Sequence, residues 1–512
     1  MFGIYDILRE YGKHSPDKTA VICDEGRYTF RQLNERINSV AHGLSEQGIK
    51  KGTPVGLIFY NGIDFITSFY ALVKLGACVS PFNYRYKVGE VEQLQNIVNC
   101  KYFIIGSEFI PILEELRRRL QPVTDIKVIF SKRNKCAPSL EEFIKNGNCY
   151  WDFTEQLSPE DEILTIFTGG TTGLPKAAAH SQQSTFLTVM GYLLEPDAVN
   201  CNDVALNYAP LFHIGGLFTM LKILSAGATF YLLSSFDSER IIKVITEERV
   251  TQMALIPPTI IDRFREARGR NDIDLSSLRL LLMAGGYSDE ATAEKAFELM
   301  PDVLFMNAYG HSENAIHFSN VFNREQYYAD KSIIGSVGIP QALYEAKIVK
   351  DDGTEAACGE CGEVYGRSVA MMAGYKGRTD SFTPDGWFAT GDVMRRDANG
   401  NYYFLSRSKD MIKSGGENIY ASEVENAITL DSDGVAECAV IGLPDREWGE
   451  IVTAAVVLRP GVQMTEDDVI NHCKTTIASY KKPKKVFFLP ELPLSGVGKV
   501  QKYVLREMLM QM

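Results

Sequence analysis

Long apolar runs are what this chain most plainly lacks: no uninterrupted stretch approaches the ~20 residues that a membrane-crossing helix needs. No integral membrane segment is therefore expected. The opening residues, Met-Phe-Gly-Ile-Tyr-Asp, carry neither a basic leader nor an apolar core, so no secretory signal is expected either. Phe2 also breaks the N-myristoylation pattern. An excess of positive charge is missing as well. With 53 basic against 65 acidic residues the net charge is −12, which argues against nucleic-acid binding while leaving room for a local basic patch. The ten cysteines are scattered and make no disulfide framework, which suits a reducing cytoplasm. Their one close pair, Cys358 and Cys361, has no second pair at a spacing that zinc would need.

What is present has the balance of an ordinary folded protein. Hydrophobic residues make up 45% and charged residues 23%, enough apolar material for large cores. A chain of 512 residues predicts about three structural units. Up to about residue 310, helical and strand patterns alternate. Residues 30–44 place apolar side chains at helical spacing, 55–60 read as a buried strand, and 65–75 read as a second helix closed by Gly76. Strands follow at 102–105, 162–167, 229–233, 252–256 and 278–283, with a helix at 238–248. This rhythm predicts an α/β fold with largely parallel sheets covered on both faces. From about 335 to 405 the texture changes to short segments with Asp-Gly and Asn-Gly turns, which predicts an antiparallel barrel or meander. The expected division is a large domain over 1–408, containing that β-rich subdomain, and a smaller α+β domain over 409–512.

The most informative stretch is FTGGTTGLPKA at 167–177, which holds three glycines and three threonines between Thr168 and Leu174. Behind a buried strand, such a loop lets backbone N–H groups, hydroxyls and the Lys176 ammonium converge on an anion. It is not a Walker loop, because Pro175-Lys176-Ala177 stands where Gly-Lys-Ser/Thr would be required. Further motifs follow in order: Asn307-Ala-Tyr-Gly-His-Ser-Glu313, Asp385-Gly-Trp-Phe-Ala-Thr-Gly-Asp392, Arg407, Lys413-Ser-Gly-Gly-Glu-Asn-Ile419 and Leu492-Pro-Leu-Ser-Gly-Val-Gly-Lys499. Together with the loop they span nearly the whole chain and resemble the adenylate-forming superfamily, which includes acyl-CoA synthetases, peptide-synthetase adenylation domains and luciferases.

The resemblance implies an ATP-dependent enzyme that joins a small carboxylic acid to coenzyme A through an acyl-adenylate. In this reading Thr168, Gly169, Gly170, Thr171, Thr172, Gly173 and Lys176 hold the β- and γ-phosphates of ATP. Tyr309 stacks on adenine with Asn307 at its edge, and Ser312 belongs to the same nucleotide motif. Glu313 holds Mg²⁺, Asp392 accepts from the ribose hydroxyls and Arg407 reaches the nucleotide. Lys499 is the catalytic lysine between the acyl carboxylate and the α-phosphate, with Lys176, Glu313 and His213 as its catalytic partners. Lys409 is the hinge about which the smaller domain turns. The carboxylate and the triphosphate are both anionic, so lysines, N–H donors and a cation must offset charge before they can react.

The acceptor is read from two places. Ala209-Pro-Leu-Phe-His-Ile-Gly-Gly216 carries His213 where amino-acid-activating relatives usually carry Asp, which points to an acyl pocket formed with Gly285 and Gly286. Tyr480-Lys-Lys-Pro-Lys-Lys485 is a basic, aromatic cluster in an acidic chain. By resemblance Tyr480, Lys482 and Lys484 meet the CoA nucleotide, Trp448 contacts CoA, and Gly415 and Gly416 line the pantetheine path. The chain departs from the family pattern at Gly169, Ala177, Ser312 and Tyr287, none of which removes a charged catalytic group. Two alternatives stay open: a stand-alone adenylating enzyme that loads a carrier protein, and an inactive nucleotide sensor. A homodimer and the identity of the acid are open too.

Overall fold

A computed structural model describes residues 2–120, 126–133, 137–168, 176–195, 199–254, 260–270, 273–284, 290–415, 417–429, 434–494 and 500–512. The chain forms two compact units, one of Met1–Glu345 with Arg367–Gly386, the other of Ala346–Gly366 with Trp387–Met512.

The first unit is built on two large sheets. In the nine-stranded sheet, Thr19–Cys23, Thr229–Leu232, Val204–Asn207, Gln252–Ala254, Leu280–Ala284 and Leu304–His311 run parallel in that spatial order, with antiparallel strands added at both margins. The seven-stranded sheet is likewise parallel through Glu162–Phe167, Cys78–Pro81, Pro54–Ile58, Tyr102–Ile105 and Lys127–Phe130, with antiparallel strands at one margin only. Strands covered on both faces must be apolar throughout, and Cys78–Pro81 and Tyr102–Ile105 are buried at every position. The parallel α/β expectation is met.

The helices form where the sequence pattern puts them. Phe30–Glu46 starts at a capping box, in which the Gln32 N–H donates to Thr29 Oγ1 and the Thr29 N–H to Gln32 Oε1. Phe30, Leu33, Ile37, Val40, Ala41 and Leu44 then line one face and are fully buried. Ser238–Glu248 matches its expected bounds. The strand expected from residue 278 begins two residues later, because the Leu278 N–H closes a turn on the Leu275 carbonyl (3.0 Å).

In the second unit, Cys361–Ser368, Phe388–Arg396 and Tyr402–Arg407 form an antiparallel sheet with Tyr344–Val349 at its edge. A second sheet joins Ile412–Ser414, Glu417–Ile419, Val435–Asp445, Gly449–Leu458 and Lys485–Phe488. Helices Ala421–Thr429, Glu466–Thr476 and Lys502–Gln511 accompany it, and its core gathers Ile412, Val424, Val440, Val456 and Val469. One segment goes where sequence texture gives no hint. Gly374–Tyr375 lies within the glycine-rich β region, yet it pairs antiparallel with Ala177–Ser181 at the edge of the seven-stranded sheet. Among the described residues, no helix is long and apolar enough to cross a membrane.

Lys74 shows how the first unit ties its helices together. The residue is fully buried, and its Nζ donates to Asn38 Oδ1, the Trp151 carbonyl (2.6 Å) and Tyr5 Oη (3.1 Å). The aromatic rings of Tyr5 and Trp151 lie 5.0 and 5.3 Å from the ammonium. Burial lowers the lysine's pKa to about 8. Replacing it with an isosteric apolar chain strands these acceptors. Lys74→Met should therefore cost about 2–4 kcal/mol, read as a lower urea midpoint with an unchanged slope.

Candidate functional site

In the first unit Lys176, at the neck of the glycine-threonine loop, and Glu313 are linked through Tyr375. Glu162–Phe167 and Ala177–Ser181 pair antiparallel up to Phe167 opposite Ala177. The neck is closed by the Thr168 N–H donating to the Lys176 carbonyl (2.8 Å) and the Lys176 N–H to Thr168 Oγ1 (3.3 Å). Gly169, Gly170, Thr171, Thr172 and Gly173 lie outside the described residues. Lys176 is exposed, and its Nζ stands 4.6 Å from the centroid of the Tyr375 ring.

The same tyrosine reaches Glu313. Its hydroxyl donates to Glu313 Oε1 in a short hydrogen bond, and His311 Nδ1 lies 3.0 Å from Oε2. Glu313 is only 8% exposed. Burial disfavours its charge, but the His311 contact and the Tyr375 hydroxyl outweigh it and hold the carboxyl at about 2. It is fully ionised at neutral pH. The strand Leu304–His311 delivers the motif through a bulge after Tyr309, and a Cβ on Gly310 would stand 1.9 Å from the Ala315 carbonyl oxygen. Only glycine fits there, which is the physical reason for the Tyr-Gly pair.

Tyr309 is half-buried, with its ring edge-on to His317 (5.0 Å) and Phe318 (5.7 Å). Asn307 is buried and spends its amide donors on the Ile334 and Ser336 carbonyls, at 3.0 and 2.7 Å. The Ser312 carbonyl faces His180 Nε2 at 2.9 Å. His180 is fully buried, and burial lowers its pKa to about 4, so the ring is neutral and Nε2 carries the proton that the carbonyl accepts. His213 is the N-cap of helix Ile214–Ser225, where its Nδ1 accepts from the Gly215 N–H (3.2 Å). That bond leaves Nε2 as the protonated nitrogen of the neutral ring. Gly285 and Gly286 lie outside the described residues.

The second unit carries the other candidates in two groups. Asp392 and Arg407 face each other across paired strands, Arg407 Nε lying 2.7 Å from Asp392 Oδ1 of a carboxylate with no exposed surface. Beside them Glu363 Oε1 accepts from the Gly391 N–H (2.8 Å), and burial raises the Glu363 pKa. Lys409 is exposed in the short turn Ser408–Asp410 that follows. In the second group Lys484 Nζ sits 3.0 Å from the centroid of the Trp448 ring. Gly415 has φ +62°, its N–H donates to the Trp448 carbonyl (2.8 Å), and a Cβ there would stand 2.7 Å from the indole. Tyr480 is exposed, and Lys482 Nζ donates to the Ser479 carbonyl (2.9 Å). Gly416 and Lys499 lie outside the described residues.

Sequence reasoning missed three participants. Tyr375 and His311 hold the Glu313 carboxylate, and Asp445 Oδ1 accepts from the backbone N–H of Trp448 (2.9 Å), which fixes the turn that carries the tryptophan. His311 sat inside a quoted motif. Tyr375 carries no local signal, since it acts on residues that only folding brings near, whereas Asp445 lies three residues before Trp448 and caps its own turn.

Residues 8–376 match the AMP-binding enzyme family, and residues 423–499 match the AMP-binding enzyme C-terminal domain. Among curated proteins, the chain is 31% identical to the long-chain-fatty-acid–CoA ligase FadD13 of Mycobacterium tuberculosis, over 98% of this chain and 97% of the relative. It is equally 31% identical to the indoleacetate–CoA ligase of Aromatoleum aromaticum, over 96% and 95% of the two chains. The solved structure of the anthranilate CoA ligase AuaEII with anthranoyl-AMP superposes with a TM-score of 0.89 at 27% identity, covering 99% of this chain and 97% of the other.

The neutral His180 beneath the motif has a measurable consequence. Its folded-state pKa, about 4, lies below the ordinary 6.5, so between those values the unfolded chain binds more protons. Stability therefore falls as pH falls through that window, by about 2 kcal/mol between pH 7 and pH 5. His180→Gln, which can still donate to the Ser312 carbonyl without titrating, should remove this share of the pH dependence in urea melts.

Proposed function

We infer the reaction from kinship: this chain belongs to the AMP-binding enzyme family, and it is an ATP-dependent acid–thiol ligase. It joins a carboxylic acid to CoA through an acyl-adenylate and releases AMP and pyrophosphate. The observation that carries this reading is Glu313, an ionised carboxylate held in near-complete burial by Tyr375, whose ring also meets the lysine of the glycine-threonine loop. A buried anion that shares one tyrosine with a phosphate-gripping lysine makes sense when a cation joins the anion to the phosphates.

The residues fit Mg²⁺ in that role. No cluster of three metal-ligating side chains exists among the described residues, but Mg²⁺ is commonly held by one or two carboxylates together with substrate phosphates. Glu313 would hold the ion, which when bound supplies charge neutralisation on the departing pyrophosphate. Lys176 and the loop hold the β- and γ-phosphates, and Lys499 stabilises the α-phosphate and the attacking carboxylate oxygen. Tyr309 and Asn307 bind the adenine, and Ser312 follows them in the nucleotide motif. Asp392 binds the ribose hydroxyls. By family resemblance His213, Gly285 and Gly286 are assigned to the acid.

For the second half-reaction we propose that the part of the chain after Lys409 turns and presents Gly415, Gly416 and Trp448 to the pantetheine arm. Lys484, Lys482 and Tyr480 take the CoA nucleotide, with the Lys484 ammonium already seated on Trp448. The described cysteines are free thiols, which fits a reducing cytoplasm as the place of action.

The test is pyrophosphate release across a panel of fatty, indoleacetic, succinylbenzoic, ferulic and anthranilic acids, with and without CoA. The expected result is multiple turnover that requires CoA for at least one acid. Turnover that proceeds only with a carrier protein, or ATP binding with no adenylate from any acid, would sink the CoA-ligase reading. Within the cycle, Lys499→Ala should reduce adenylate formation at least 100-fold while sparing thioester formation from supplied acyl-adenylate. Gly416→Leu should show the reverse split, and equal losses in both isolated half-reactions would contradict this division of labour.

A further inference from the structure

The two-residue strand Gly374–Tyr375 is unusual in how much charge it organises. Tyr375 pairs with Ala178 and Gly374 with Ala179, one turn of pleat away from Lys176. The pairing is extended by the Ala373 N–H donating to the Ala179 carbonyl (2.7 Å) and the Lys376 N–H to the Ala177 carbonyl (2.9 Å). The Tyr375 N–H donates to Ser381 Oγ (3.0 Å), so the backbone is fixed on both sides. Successive side chains then point to opposite faces. Lys376 goes one way and pairs with Glu162 Oε1 at 2.7 Å, while Tyr375 goes the other way and meets Glu313 and Lys176.

We propose that Tyr375 is the positioning residue of the triphosphate site: its ring seats the Lys176 ammonium, and its hydroxyl holds the Glu313 carboxylate. One side chain, 8% exposed and locked by its strand, thereby sets both the cation that grips the phosphates and the anion that holds the metal. A lysine alone at the loop's exit would have four torsions to freeze on binding ATP, and the ring removes part of that cost beforehand. The hydroxyl fixes which carboxylate oxygen is engaged, leaving the other lone pairs for the ion. A tyrosine that merely filled the core would need no polar partner at its tip, and phenylalanine would serve equally. The inference rests on the ligase reading above, so the experiment separates the two.

Calorimetric titration of ATP is carried out first in EDTA and then with magnesium, on the full chain and on Tyr375→Phe, Tyr375→Leu and Glu313→Gln. In the unaltered protein, magnesium should tighten ATP binding. Tyr375→Phe keeps the ring, so its affinity in EDTA should stay within about two-fold, while the magnesium gain falls about ten-fold, as in Glu313→Gln. Tyr375→Leu should lose the magnesium gain and a further factor of about three in EDTA. Combining Tyr375→Phe with Glu313→Gln should add no further loss. Melting temperatures report folding independently.

If the unaltered chain binds no ATP, the ligase reading falls and this inference with it. If it binds ATP and Tyr375→Phe retains the full magnesium gain, the hydroxyl role is overturned while the ligase reading stands. If Tyr375→Leu matches the unaltered chain in EDTA, the ring's role is overturned. Losses that follow a lowered melting temperature equally in both conditions would reduce Tyr375 to packing and overturn the proposal as a whole.

Discussion

A full negative charge kept where water barely reaches is the constraint on which the first unit's site depends. Burying an unpaired carboxylate costs several kcal/mol, and such a group ordinarily takes up a proton instead. Glu313 escapes that fate because a hydroxyl and an imidazole converge on its two oxygens. The partners come from separate stretches of chain, so the charge exists only when both are in place. Beneath it His180 is held neutral and grips the Ser312 backbone, which keeps the motif from shifting.

Backbone geometry solves the delivery problem. A turn closed by the Asn314 N–H on the His311 carbonyl (3.2 Å) brings Glu313 back toward the end of Leu304–His311, and the bulge at Tyr309–Gly310 just before it sits where no side chain fits. From the other direction, Gly374–Tyr375 leaves the glycine-rich region to become an edge strand beside the loop. Its register, not its composition, decides that Tyr375 and not Lys376 faces Glu313.

The second unit applies the same physics to different partners. Asp392 is fully buried and lies against Arg407 across a strand pair, a geometry that pairing of the two strands enforces. The Trp448 backbone is held by Asp445 at its N–H and by Gly415 at its carbonyl, and Lys484 caps the face of its indole. Positive φ at Gly415 and the lack of a side chain there are both required, because any Cβ would strike the ring.

Much of this was readable from the chain in one dimension. Apolar periodicity located the strands and helices, because burial on one or both faces imposes period 3.6 or unbroken apolar runs. The ordered motifs from the loop at 167–177 to Lys499 identified the family, because the chemistry of joining two anions demands the same charged groups in the same order. Sequence could not say which groups hold those charges. Tyr375 lies 62 residues from Glu313. Local composition determined the elements, the family and the reaction type. Tertiary structure alone decided that one tyrosine serves both Lys176 and Glu313, because a hydrogen bond and a cation–π contact depend on distances that strand register sets.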